Sequence, residues 1–173
     1  MANWCSTAYV IDGDTKEVKN LYELMKGLQE QKESSAKNGF GTTWLGYLVD
    51  AVGKDRNRVS CWGNWNDLKM IDNTLRFTTE TAWGPCNEIF DLVCEKFPSL
   101  CYYFRAEEPC IGIYETNDEE YKYFTDLSSL FARLEELSGQ PVRSEGELEE
   151  LMEQWRKRDA RFCCHIAEFE IVE

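Results

Sequence analysis

The sequence predicts an α+β fold in which an antiparallel sheet of the ferredoxin-like βαββαβ type carries helices on one face. Three observations lead to this prediction. Residues 75–80 alternate apolar and polar side chains, as a half-buried strand does. Residues 85–98 then repeat apolar side chains with the helical period, and residues 100–115 return to two short strand patterns. Strand, helix, strand and strand in this order form the first part of a βαββαβ unit.

Ahead of this unit, residues 1–73 are predicted to form a strand–helix–strand extension packed on the main domain, residues 74–173. The two parts are expected to make one compact unit, because 173 residues suffice for one sizeable core. The strands of the extension are predicted at residues 3–11 and 58–65, and in the second of them side chains on opposite faces alternate.

Helix signals lie between those two strands. Asp14 is placed to cap a helix, and Glu17 follows three residues later, as in a capping box. Either Thr42 or Thr43 is placed to cap a second, shorter helix that Gly53 ends.

The main domain continues with the helix that begins near Pro85 and that Pro98 stops. Strands are predicted at residues 100–105 and 111–115, joined as a hairpin across residues 106–109. These elements supply the middle of the βαββαβ unit.

The end of the chain is predicted to complete the sheet. After a short strand at residues 121–124, Asp126 and Ser144 are placed to cap two further helices. A last strand is predicted at residues 161–172.

The acidic surplus limits the classes of partner. The chain has 32 acidic and 19 basic residues, a formal net charge of −13. This charge disfavours direct nucleic-acid binding and favours a partner protein with a basic surface. Residues 115–153 hold twelve acidic and three basic residues, a local balance of −9. The predicted partner-binding acidic face consists of Glu135, Glu136, Glu145, Glu147, Glu149, Glu150 and Glu153. The alternative is a solvated face that only keeps the protein soluble.

The cysteines do not predict a metal site or a cofactor. None of the eight forms a Cys-x-x-Cys pair. The one histidine, His165, follows Cys163 and Cys164 in a predicted strand, where adjacent side chains point to opposite faces. The sequence has no leader-peptide pattern and no membrane-spanning apolar run, so a cytoplasmic protein is expected.

Aromatic residues near the predicted strands suggest a second kind of site. Trp62, Trp65 and Trp83 are candidates to stack on a planar, nucleotide-like ligand, with Arg76 and Glu80 supplying polar contacts. The alternative is that these aromatics simply pack in the core.

Paired carboxylates give little support for an enzyme. Glu107 and Glu108 lie in a predicted hairpin, and Glu119 and Glu120 lie in a predicted turn. Without a partner base, a nucleophile or a set of metal ligands, they are interpreted as solvated turn residues.

Several short segments carry a family resemblance. They are the start MANWCS, the segment Thr81 to Pro85, the corner Phe97 to Leu100 and the hairpin Glu107 to Pro109. In these segments the chain resembles the YubB-like family of uncharacterised plasmid and phage proteins. The resemblance implies a C-terminal ferredoxin-like domain and a mobile-element origin, and it implies no catalytic residues.

The leading functional hypothesis is a non-catalytic acidic interaction protein of a phage or plasmid, for example an anti-defence inhibitor or a DNA mimic. The first alternative is a protein that binds a small, nucleotide-like ligand at the tryptophan and arginine site. The second alternative is a hydrolase whose site is assembled across the fold.

Overall fold

The computed structural model describes residues 3–32, 39–108, 113–120 and 122–124, together with residues 139, 141, 147, 150 and 154. The chain divides into two compact units, residues 1–117 and 118–173. The first unit contains a five-stranded antiparallel sheet and three α-helices. The predicted α+β class is therefore confirmed.

The helices and strands of the first unit follow the chain in a simple order. They are β1 (Trp4–Asp12), α1 (Thr15–Gln29), α2 (Leu45–Ala51), β2 (Gly63–Ile71), β3 (Thr74–Ala82), α3 (Asn87–Lys96), β4 (Cys101–Glu108) and β5 (Ile113–Thr116). Short 3₁₀ turns at Gly41–Thr43 and Arg56–Arg58 flank α2.

The strand order in the sheet is β2-β3-β1-β4-β5, which places β1 at the centre. Because β3 and β4 are both antiparallel to β1, they run parallel to each other and are connected through α3. Residue 73, the predicted boundary between the extension and the main domain, lies in the turn between β2 and β3. The sheet therefore combines β1 and β2 from the predicted extension with β3, β4 and β5 from the predicted main domain. The predicted closing strand, residues 161–172, lies outside the described residues, and the ferredoxin-like order stays a prediction.

One face of the sheet carries all three helices and the apolar core. Tyr9, at the centre of β1, is fully buried, and its ring centroid lies 5.3 Å from that of Phe77 and 4.2 Å from that of Phe90. The Tyr9 hydroxyl donates a hydrogen bond to Asn87 Oδ1 at 2.8 Å, at the start of α3. These contacts join β1, β3 and α3. The face of the sheet opposite the helices is called the second face below.

The predicted cap of α1 is confirmed, and its capping box is not formed. Asp14 Oδ1 accepts hydrogen bonds from the backbone N–H groups of Lys16 and Glu17, at 3.0 and 3.3 Å. The carboxylate of Glu17 instead accepts from the N–H and the hydroxyl of Ser99, at 3.0 and 2.7 Å. The helix is thereby tied to the turn that precedes β4.

Strand β2 differs from its prediction. It begins at Gly63, later than the predicted residue 58, and it continues to Ile71. Asp72 and Asn73 both have positive φ angles, 46° and 64°, as required in a tight two-residue hairpin turn into β3. Asp67, with a φ of 53°, lies where the pairing with β3 shifts. This irregularity interrupts the alternation from which a strand is predicted.

Paired glutamates lie in two different environments. Glu119 and Glu120 are exposed, in agreement with the prediction. Glu107 and Glu108 belong to β4 rather than to a turn, and Glu108 is buried. Their interpretation as solvated turn residues is therefore wrong for Glu108.

The described part of the second unit begins with a local capping arrangement. Asp118 is buried, and its carboxylate accepts the backbone N–H groups of Lys122, Tyr123 and Phe124 at 2.9, 2.6 and 2.8 Å. Residues 122–124 follow a bend instead of the predicted strand. A carboxylate that binds successive N–H groups stabilises such a bend without a partner strand.

Two buried threonines on β3 provide a matched test of the core. The hydroxyl of Thr79 has no hydrogen-bond partner within the described structure, whereas that of Thr81 lies 2.8 Å from Gly84 O and 3.3 Å from Cys5 O. Thr79→Val is expected to raise the free energy of unfolding by about 1 kcal/mol, and Thr81→Val to lower it by about 1–2 kcal/mol. Urea denaturation of both variants would check this, and equal effects would contradict the difference in bonding.

Candidate functional site

Three tryptophans are the exposed large apolar side chains of the part of the chain that the structure describes. Trp4 is 49% exposed, Trp62 67% and Trp83 57%. A soluble protein seldom leaves several large aromatic side chains in contact with water in one region unless that region binds something. Whether these three tryptophans mark a binding site therefore depends on whether they lie in one region of the surface.

The backbone brings these three residues to one end of the sheet. Trp4 on β1 pairs with Ala82, the last residue of β3. The Ala82 N–H donates to the Trp62 carbonyl at 2.8 Å, and the Trp83 N–H donates to the Asn3 carbonyl at 2.8 Å. We call Trp4, Trp62 and Trp83 the tryptophan end of the sheet. It is built from three segments that are far apart in sequence.

Trp83 adopts an unusual backbone conformation. Its φ is +74°, in the left-handed region that costs an L-residue with a Cβ about 1–2 kcal/mol. A buried indole would offset this cost by packing, but more than half of Trp83 is exposed. Folding alone thus gives a poor reason for tryptophan at this position. Strained residues that are kept in place by their surroundings often belong to binding sites.

Carboxylates lie beside the tryptophan end on the second face of the sheet. Ser6 pairs with Glu80 on one side and with Glu107 on the other, two residues along β1 from Trp4. The Ser6 hydroxyl donates to Glu80 Oε1 at 2.6 Å, and Glu107 Oε1 accepts from Arg105 Nη2 at 3.1 Å. Because alternate strand residues share a face, Trp4 and Glu80 are on the same face. The side chains of Trp4 and Glu80 therefore start from the same face, two positions apart in the β1–β3 register.

An open cavity of about 320 Å³ lies next to the tryptophan end. Its lining consists of Phe40, Trp44, Arg56, Asn57, Val59, Cys61 and Trp62. Trp62 contributes to both sites, and Phe40 contacts Trp4 edge to face, with 6.3 Å between ring centroids. We call this space the aromatic cavity.

The five residues predicted as a ligand site do not come together. Trp62 and Trp83 meet at the tryptophan end, whereas Trp65 is 0% exposed and faces the core. Arg76 is 4% exposed on the second face, where its Nε donates to Thr74 Oγ1 at 2.9 Å. Glu80 lies on the same face as Arg76, in the second register pair after that of Trp4.

Sequence reasoning missed Trp4, Phe40, Trp44 and Arg56. For Trp4 a signal exists, because it alternates with Cys5 and therefore falls opposite the core face of its strand. The other three lie on or beside short 3₁₀ turns, where no periodic pattern shows which way a side chain points.

The predicted acidic face lies largely outside the described residues. Glu147 and Glu150 are described, and both are helical and exposed. Glu135, Glu136, Glu145, Glu149 and Glu153 lie outside that part of the structure.

The buried thiols are poorly suited to nucleophilic chemistry. Burial raises the pKa of the Cys61 thiol to about 11 and that of Cys86 to about 12. Since the thiolate is the reactive form, both side chains remain neutral at physiological pH. Within the described ranges, no group of three or more histidine, cysteine, aspartate or glutamate side chains could hold a metal ion.

Comparisons with protein-family models, curated proteins and solved structures gave no match. The YubB-like resemblance therefore stays a prediction. Among the described helices, none is long and apolar enough to cross a membrane.

Proposed function

We propose that the protein is a non-catalytic interaction protein that binds a basic segment of a partner protein at the tryptophan end of the sheet. The observation that carries this proposal is Trp83, which combines a strained backbone with a largely exposed indole. Partner binding would explain why tryptophan occupies position 83, where its backbone conformation destabilises the folded protein.

The chemistry of the tryptophan end suits arginine side chains in particular. A guanidinium group stacks on an indole face and pairs with a carboxylate, and each such cation–π contact contributes about 0.5–2 kcal/mol. Trp4 offers the ring and Glu80 the carboxylate, across a diagonal of about 7–8 Å that long side chains can span.

Net charge supports the same class of partner. The chain carries −13, concentrated in residues 115–153, so a basic partner is attracted before contact is made. In this proposal the predicted acidic face accelerates association, and the tryptophan end holds the bound partner.

A pair of arginine and lysine peptides tests the proposal. The probes are twelve-residue peptides of alternating arginine and glycine, or lysine and glycine, which carry equal charge. We expect the arginine peptide to bind more tightly, and the double variant Trp4→Ala, Trp83→Gly to weaken its binding about tenfold. Calorimetric titration at two salt concentrations measures both effects.

A charge variant separates the two surfaces. The variant Glu147→Lys, Glu150→Lys changes exposed residues outside the tryptophan end and is expected to slow association with little effect on dissociation. If this variant abolished binding while the tryptophan variant bound normally, the acidic face would be the binding surface. Equal affinity for the two peptides would also count against the tryptophan end.

The backbone strain at Trp83 can be measured separately from binding. Trp83→Gly is expected to be more stable than Trp83→Ala by about 1 kcal/mol, because glycine adopts a positive φ without steric cost. Both variants lose the indole, so the difference between their stabilities measures the backbone strain at position 83 alone. At Trp62, the same pair should show the usual order, with alanine at least as stable as glycine. Thermal denaturation of all four variants would reveal whether this reversal is confined to position 83.

A further inference from the structure

The aromatic cavity has a wall that is held in place before any ligand binds. The Trp44 Nε1–H donates to the Cys61 carbonyl at 2.6 Å, and the Trp44 ring meets that of Tyr47 edge to face at 5.2 Å. The ring also lies against Gly46, where an added Cβ would come within 2.6 Å of it. A preorganised wall lowers the entropy cost of binding.

The charge inside the cavity is largely neutralised. The Arg56 guanidinium lies 5.2 Å from the Trp44 ring centroid, and its Nη1 pairs with Asp50 Oδ2 at 2.9 Å. The Cys61 thiol is neutral, since burial raises its pKa to about 11. An anionic ligand would therefore gain little from Arg56, and the net charge of −13 would repel it.

The lining also contains a second tryptophan, Trp62, most of which is accessible to solvent. Trp62 is 67% exposed and also lines the cavity, so a flat molecule entering from solvent can stack against it. The volume of about 320 Å³ lies at the lower end of the range for small-ligand sites, about 300–1,000 Å³. Asn57 adds a polar side chain to this lining.

From these features we infer that the aromatic cavity binds an uncharged planar heterocycle of the nucleobase or nucleoside type, and that phosphorylation of the ligand weakens binding. The heterocycle stacks on Trp62, and the fixed Trp44–Arg56 pair forms the other side of the site. This binding site differs from the partner surface and shares Trp62 with it.

Quenching of tryptophan fluorescence by adenosine, guanosine, cytidine and uridine tests the inference, with each 5′-monophosphate as the charged counterpart. We expect at least one nucleoside to bind at submillimolar concentration, and its monophosphate to bind about tenfold more weakly. Trp62→Ala should weaken nucleoside binding about tenfold or more, whereas Trp62→Phe, which keeps an aromatic face, should retain most of it. Calorimetry would measure the affinities of the tryptophan variants.

The outcomes distinguish this inference from the proposed function. Trp83→Gly should leave nucleoside binding unchanged while it weakens binding of the arginine peptide. The inference is overturned if no nucleoside binds at millimolar concentration, if the monophosphates bind as well as the nucleosides, or if Trp62→Ala binds normally. None of these results affects the proposed interaction with a basic partner.

Discussion

Replacing Trp65 by alanine is expected to lower the free energy of unfolding by about 3–5 kcal/mol, the usual cost of removing a large aromatic side chain from a core. Trp65 is 0% exposed and lies within the core cluster beneath the helices. Trp62→Ala, three residues earlier, should change stability by about 0.5 kcal/mol or less, because most of that side chain is in solvent. Urea denaturation of the two variants would give the difference directly.

Trp65→Phe separates the packing of the ring from its polar atom. The buried Trp65 Nε1 has no hydrogen-bond partner among the described residues, so phenylalanine loses no hydrogen bond and retains an aromatic ring. Trp65→Phe should therefore lower the free energy of unfolding much less than Trp65→Ala does. A Trp65→Phe variant as unstable as Trp65→Ala would show that Nε1 is bonded in solution.

Local patterns predicted most of the helices and strands of the first unit, because each element there has one face in a core. Strand β3 alternates between buried and half-buried residues from Phe77 to Ala82, and the buried residues of α3 repeat with the helical period. The same patterns cannot give the strand order, since pairing depends on contacts between distant segments. The central position of β1, between β3 and β4, is therefore known only from the structure.

Errors in element boundaries have local causes. Trp44, with an extended backbone and no side-chain cap, precedes α2, so neither Thr42 nor Thr43 caps it. The end of β2 was missed because the turn Asp72–Asn73 lacks the glycine that usually marks a tight hairpin. Both asparagine and aspartate tolerate a positive φ, so this pair was an available signal.

The candidate site was predictable only in part. Within the predicted strand at residues 58–65, Trp62 and Trp65 differ by three positions, and an odd spacing in a strand puts side chains on opposite faces. Alternation alone could therefore have separated the exposed residue from the buried one. The meeting of Trp4, Trp62 and Trp83 depends on the pairing of three strands, which no single segment encodes.

Gly63→Ala is expected to lower the free energy of unfolding by about 2–3 kcal/mol and to disturb the tryptophan end at the same time. Gly63 pairs with Thr81 at the start of β2, and an added Cβ would come within 2.6 Å of Thr81 Cγ2 and closer still to the Glu80 carbonyl oxygen. A backbone carbonyl cannot move aside as a flexible side chain does, so β2 must separate locally from β3. Chemical denaturation would measure the loss of stability.

Gly27→Ala serves as the control for Gly63→Ala, and hydrogen exchange of the Ala82 amide serves as a local readout. Gly27 lies within α1 with nothing within 4 Å of an added Cβ, so Gly27→Ala should raise stability by up to about 1 kcal/mol. Since the Ala82 N–H donates to the Trp62 carbonyl, Gly63→Ala should increase its hydrogen exchange, and Gly27→Ala should not. A Gly63→Ala protein with normal stability and a protected Ala82 amide would show that the sheet accommodates a methyl group there. The tryptophan end would then be less tightly constrained by the β2–β3 pairing than its hydrogen bonds indicate.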